Sequence, residues 1–127
     1  MTEVIETKNA PAALGPYSQA IKVGNTLYGS GQVGIDPETG KLVGSDIESQ
    51  TKQVFDNIAA VVAHAGFTRN DIVKTVIFLD DVNQFDKVNE LYADFFSNNL
   101  ILPARSTVEV SKLPAGALIE IEYVVSK

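Results

Sequence analysis

The segment Asp71-Ile72-Val73-Lys74-Thr75-Val76-Ile77-Phe78-Leu79-Asp80 constrains this chain more than any other, because it is rich in β-branched residues and apolar on both alternating faces. Val73, Thr75, Ile77 and Leu79 form one row, and Ile72, Lys74, Val76 and Phe78 form the other. A strand of this kind sits inside a sheet with both faces covered. A chain of 127 residues is the length of one domain, so the covering layers have to come from a short list of elements.

Two helices are legible. Ser45 with Glu48 three residues later is a capping-box signature, and Ile47, Thr51, Val54, Ile58, Val61 and Ala65 recur at helical spacing before Gly66. This predicts a helix over 46–65. A second pattern starts near Asn83, runs through Phe85, Val88, Leu91, Tyr92, Phe95 and Phe96, and stops at Asn98-Asn99. Gly24-Asn25 is a tight-turn signal between Ala20-Ile21 and Thr26-Leu27-Tyr28, which predicts a hairpin. Final strands are expected over 105–111 and 117–125. In the last one Ile119, Ile121, Tyr123 and Val125 share a face, opposite Glu120 and Glu122.

The order hairpin, helix, strand, helix, strand, strand predicts an α+β sandwich in a single domain spanning 1–127, with two helices on one face of a mixed sheet. The other face is expected to carry Arg105, Thr107, Glu120 and Glu122 beside apolar residues of the interior strand. That mixture is ill-suited to open water. It predicts a homo-oligomer whose sheets face one another around a closed axis, with polar clefts where subunits meet.

Composition narrows the chemistry. The absence of cysteine excludes disulfides, thiolate zinc sites and a cysteine nucleophile, and His64 is the only histidine, so no metal site is expected. His64 reads as a cation at a helix end. A net charge of −6 argues against nucleic-acid and anionic-membrane partners and favours a small molecule. Met1-Thr2-Glu3-Val4-Ile5-Glu6 lacks the basic start and apolar core of a signal peptide, and no apolar run reaches membrane-spanning length, so a cytoplasmic protein is expected.

Two motifs invite chemistry. Gly29-Ser30-Gly31-Gln32-Val33-Gly34 matches the G-x-G-x-x-G pattern, but Ile35-Asp36-Pro37 leads into a turn instead of a helix N-terminus, so a dinucleotide site is rejected. Glycines here let a ligand or a neighbouring strand approach the backbone closely; a bulge without function accounts for them equally well. Arg105, in Pro103-Ala104-Arg105-Ser106, presents a planar fork suited to a carboxylate, and a surface ion pair is the plainer alternative.

Taken in order, Asn9-Ala10-Pro11, Gly15-Pro16-Tyr17-Ser18-Gln19-Ala20, Ser30-Gly31-Gln32, Asp71-Ile72-Val73-Lys74-Thr75, Phe85 with Val88-Asn89, Pro103-Ala104-Arg105-Ser106, and Leu113-Pro114 followed by Ile119-Glu120-Ile121-Glu122 resemble the Rid family of reactive intermediate deaminases, closest to its RidA branch. The resemblance implies a fold similar to trimeric chorismate mutase and a homotrimer with clefts between adjacent subunits. It implies hydrolysis of 2-iminobutanoate and 2-iminopropanoate, or the enamine 2-aminoacrylate, to 2-oxo acids and ammonia, without cofactor, protecting pyridoxal-phosphate enzymes. By the same resemblance Arg105 binds the substrate carboxylate and Glu120 orients or deprotonates water; a structural partner for Arg105 or a lysine is the other role open to Glu120. Tyr17 contacts the imine or packs, Ser30 and Gly31 line the cleft, and Asn89 holds a loop or the ligand's surroundings. Thr107 stands where many relatives carry cysteine, with a backbone carbonyl toward the imine nitrogen the favoured role. An endoribonuclease or translation inhibitor, and a non-catalytic trimer that binds keto acids or acts like a chaperone, are the alternatives.

Overall fold

The computed structural model describes residues 1–127. Its elements are β1 (Thr2–Ile5), β2 (Ala20–Val23), β3 (Thr26–Val33), α1 (Ile47–His64), β4 (Ile72–Leu79), α2 (Phe85–Phe95), β5 (Ala104–Glu109) and β6 (Ile119–Ser126). They form one six-stranded sheet in the order β1-β2-β3-β6-β4-β5. Every neighbouring pair is antiparallel except β4 and β5, which are parallel because α2 supplies the crossover between them. The expected α+β sandwich, with both helices on one face of a mixed sheet, is the fold observed. No helix is long and apolar enough to cross a membrane.

The core lies between the helices and the sheet. Val54, Ile58 and Val61 of α1 meet Ile77, Leu79, Ile119, Ile121 and Val125, all essentially without solvent contact. Polar side chains fix the helix on this surface. The buried Asn57 amide donates to the carbonyls of Val33 (3.1 Å) and Ile35 (3.0 Å), while the Gln50 side chain accepts from Leu118 N at 2.8 Å. These bonds satisfy backbone groups at the end of β3 and the entry to β6 that the ladder leaves free.

Several local expectations change. The cap of α1 is Asp46, whose carboxylate accepts from Ser49 N at 2.9 Å, in place of the Ser45 and Glu48 box. Glu48 instead pairs on the surface with Lys52 and Lys87. The edge strand β1 was not foreseen; only Ile5 of its four residues is buried, so it carries almost no hydrophobic signal. In β4 the register shifts between Ile72 and Lys74, which turns Ile72 toward the helices and leaves Val73 exposed, so the two are exchanged between the expected rows.

One correction changes the reading of the site. Paired residues of neighbouring strands point to the same side of a sheet. Arg105 pairs with Thr75 and Thr107 with Ile77, on the helix side, whereas Glu120 pairs with Phe78 and Glu122 with Val76, on the open side. Arg105 and Thr107 therefore do not share a face with Glu120 and Glu122. The open side also carries Val4, Ile21, Val23, Tyr28, Val76, Phe78, Val108 and Val124, and neither helix packs on it.

Candidate active site

Glu120 sits beside a break in the ladder. The β3–β6 register shifts between Gly29 and Gln32, so Ser30 and Gly31 form a bulge in mid-strand, which also confirms that this glycine motif opens no helix. The Glu120 side chain leans across Gly31. A Cβ at Gly31 would lie 2.7 Å from the Glu120 carboxyl carbon, so glycine is needed for this approach. The Ser30 hydroxyl donates to the Ser18 carbonyl at 2.6 Å and Ser30 N donates to the Gln19 carbonyl at 3.0 Å, which ties the segment carrying Tyr17 to the bulge.

The result is a cleft of about 340 Å³ whose polar lining includes Tyr17, Ser30 and Glu120, with Leu14, Ile35 and Pro114 among its apolar walls. Burial, and then the like charge of Glu122, pushes the Glu120 carboxyl above its ordinary range. No lysine or arginine pairs with Glu120 within the chain. A carboxylate with a raised affinity for protons, facing a cleft, is equipped to exchange a proton with a bound reactant. Glu122 is exposed on the same side of the sheet and reaches Glu120 only through its charge.

Arg105 belongs to a second cluster. From the edge strand β5 its guanidinium carbon lies 4.8 Å from the ring centre of Tyr92 and 5.4 Å from that of Phe85, both on α2. The Tyr92 hydroxyl is in turn 2.8 Å from Thr75 Oγ1. Burial raises the Tyr92 pKa, offset in part by the Thr75 hydrogen bond and the Arg105 charge, so the phenol stays neutral beneath the guanidinium. Arg105 forms no ion pair in the chain, and Glu109 on the same row is occupied, accepting from Val82 N at 2.9 Å. The surface ion pair is thus not what holds Arg105. Aromatic faces position a planar cation whose hydrogen-bonding edge stays free for a carboxylate.

Asn89 is half-buried one helical turn from Phe85 and Tyr92, which places it on the Arg105 side of α2. Thr107 is half-buried, and its hydroxyl has no hydrogen-bond partner. The expected site residues therefore divide: Tyr17, Ser30, Gly31 and Glu120 line one cleft, while Arg105, Asn89 and Thr107 belong to the other side of the sheet. The apolar wall of the cleft and the buried Gln19 were not foreseen. Gln19 stood in the sequence only as a member of the Gly15-to-Ala20 segment at the threshold of an apolar strand, with no role attached to it.

Residues 7–127 match the family described as endoribonuclease L-PSP. The chain is 46% identical over 125 residues to a 2-iminobutanoate/2-iminopropanoate deaminase from Escherichia coli, covering 98% of this chain and 97% of that protein. A Rid-family protein of unknown function from Yersinia pestis is 57% identical and superposes with a TM-score of 0.97 over all of both chains. A putative endoribonuclease from Thermotoga maritima is 45% identical with a TM-score of 0.95, covering 100% of this chain and 98% of that one. A family match across nearly the whole length, with relatives this similar, places the chain in the Rid family, the family described as endoribonuclease L-PSP.

Proposed function

We propose that this protein is a hydrolytic deaminase of 2-imino acids, acting on 2-iminobutanoate and 2-iminopropanoate, the latter including its enamine form 2-aminoacrylate, and releasing 2-oxo acids and ammonia in the cytoplasm. One observation carries the reading: an unpaired arginine and an unpaired glutamate with raised pKa lie on opposite sides of one sheet. A second copy has to bring them together. A contact that joins the Arg105 side of one copy to the Glu120 cleft of the next is head-to-tail, and such a contact gives a ring where the rotation between copies closes. The proposed ring is a homotrimer with three clefts, and its inner surface is the open side of each sheet, where the apolar rows lose their contact with water.

In such a cleft Arg105 of one copy holds the substrate carboxylate through two parallel hydrogen bonds. Asn89 and Thr107 line the same end, and Tyr17, Ser30 and Gly31 enclose the imine from the next copy. A protonated imine is already electrophilic, so positioning water against its carbon supplies much of the rate. Glu120 takes a proton from that water as the C–O bond forms, giving a neutral carbinolamine. It returns the proton to the amino nitrogen. The C–N bond then breaks as the hydroxyl oxygen forms the carbonyl, and its proton leaves with ammonia as ammonium. Removal of these imines and enamines before they attack the cofactor of pyridoxal-phosphate enzymes is the physiological role that follows.

Imines generated in situ by an amino-acid oxidase with catalase, and trapped with semicarbazide, test the reading. The expected result is suppressed trapping by the wild type and not by Arg105→Ala of the same oligomeric mass. Equal trapping with both would remove the deaminase assignment. RNA cleavage by pure protein that disappears in Glu120→Gln would replace it with the nuclease reading.

A further inference from the structure

Residues 6–19 run from β1 to β2 without helix or strand, yet this strap supplies Pro11, Ala12, Leu14 and Tyr17 to the wall of the Glu120 cleft. Backbone groups in irregular segments need partners from elsewhere, and the identity of those partners decides what holds the segment in place. Here one side chain provides them. Gln19, 3% exposed, accepts from Thr7 N at 2.7 Å and donates to the carbonyls of Thr7 (3.0 Å), Ala10 (3.3 Å) and Pro11 (2.8 Å). The remaining hydrogen bonds within residues 7–17 are local ones, from Asn9 N to the Thr7 hydroxyl and from Tyr17 N to the Gly15 carbonyl.

The backbone of the same residue accepts from Ser30 N at 3.0 Å, beside the bulge that receives Glu120. One glutamine therefore joins the strap to β3, the strand whose bulge receives the acid–base group of β6. The side chain uses both amide hydrogens on three acceptors and its oxygen on one donor, a set that only a carboxamide carries and that asparagine, one methylene shorter, does not reach from this position.

We propose that Gln19 is a positioning residue of the active site: its carboxamide registers the strap against the bulge and so sets how tightly the cleft holds its ligand. Gln19 itself touches no reacting atom in this scheme. Loss of the clamp leaves Glu120 and its water in place but lets the Pro11 to Tyr17 wall move away, which weakens binding of substrate and product alike and leaves the chemical step nearly intact. The proposal rests on the deaminase reading for its substrate, and on the geometry alone for the clamp.

The test uses the full chain in its native assembly, with Gln19→Met, which keeps the length and removes every hydrogen bond, and Gln19→Glu, which keeps the acceptor and loses the donors. Three quantities are measured: KM and kcat for 2-iminobutanoate, calorimetric affinity for 2-oxobutanoate, and the rate of limited proteolysis within residues 7–17. The expected result is a KM and a product Kd raised on the order of tenfold with kcat within about twofold of wild type, the pattern of lost uniform binding, and faster cleavage of the strap. An unchanged KM and product affinity, or a fall in kcat alone, overturns the proposal. Failure of both variants to fold also overturns it, since Gln19 would then be a folding residue. A wild type inactive toward imino acids would defeat the deaminase reading separately, and strap proteolysis would still report on the clamp.

Discussion

The Arg105 cluster and the Glu120 cleft are built by different means. Arg105 projects from a regular strand and is flanked by rings of a regular helix, so its position is fixed by packing on the core. Glu120 projects from an equally regular strand, but into space bounded by a bulge, a strap and the turn at Pro114, so its surroundings are set by hydrogen bonds between side chains and backbone. The first region suits an invariant task, holding a carboxylate. The second suits a task that depends on the exclusion of water and on proton affinity. Under the proposed function, their separation across the sheet would leave a single copy with either end of the substrate held and the reaction incomplete.

The largest effects come from breaking each region in turn. Glu120→Gln is expected to lower kcat by about 10²–10⁴-fold, the range for loss of a general acid–base group. Its stability effect has the opposite sign. The folded-state pKa of Glu120 is raised, so the native chain binds more protons than the unfolded chain over the interval between the two pKa values, and stability falls as pH rises through it. Glu120→Gln should therefore melt above wild type at neutral pH, which calorimetry checks. Arg105→Ala is expected to cost about 3 kcal/mol in kcat/KM, or roughly 100-fold, chiefly through KM. Arg105→Lys should recover only part of this, because an ammonium lacks the fork.

Mixing sharpens the comparison. Co-assembled Arg105→Ala and Glu120→Gln chains at equal ratio should regain about one quarter of wild-type sites, because in a closed ring each cleft draws its two residues from neighbouring copies. No recovery from fully mixed oligomers would mean that each copy completes its own site.

Smaller effects probe the cleft alone. Gly31→Ala places a methyl against the end of a flexible carboxylate, so the fold is expected to survive while kcat falls about tenfold through displacement of Glu120. Steady-state kinetics and circular dichroism together separate the two outcomes. Glu122→Gln removes the like charge, and the acid limb of the kcat profile should move to lower pH while remaining above the usual carboxylate range, because burial is the larger cause. A limb unmoved by Glu122→Gln would show that the two carboxylates are uncoupled in the assembly.

Much of this was legible in the residues. Helical spacing marked α1 and α2 to within a few residues at their ends, Gly24 takes the positive φ expected of the hairpin turn, and the rows of β6 alternate as read. These features depend on period, which a sequence carries directly. β1 escaped because an edge strand with one buried residue depends on its partner for definition, and Gln19 escaped because a carboxamide reveals its role only through the backbone it meets.

By itself the sequence determined the two helices, the hairpin and the later strands, the covered row of β6, the absence of thiol chemistry and the family to which Arg105 and Glu120 point. Tertiary structure alone decided that those two residues face away from each other. Alternation fixes which residues of one strand share a side, but the side itself is relative until strands pair. Thr75 opposite Arg105 and Phe78 opposite Glu120 are facts of register. A shift of one residue would have reversed either, because the side-chain period of a strand is two.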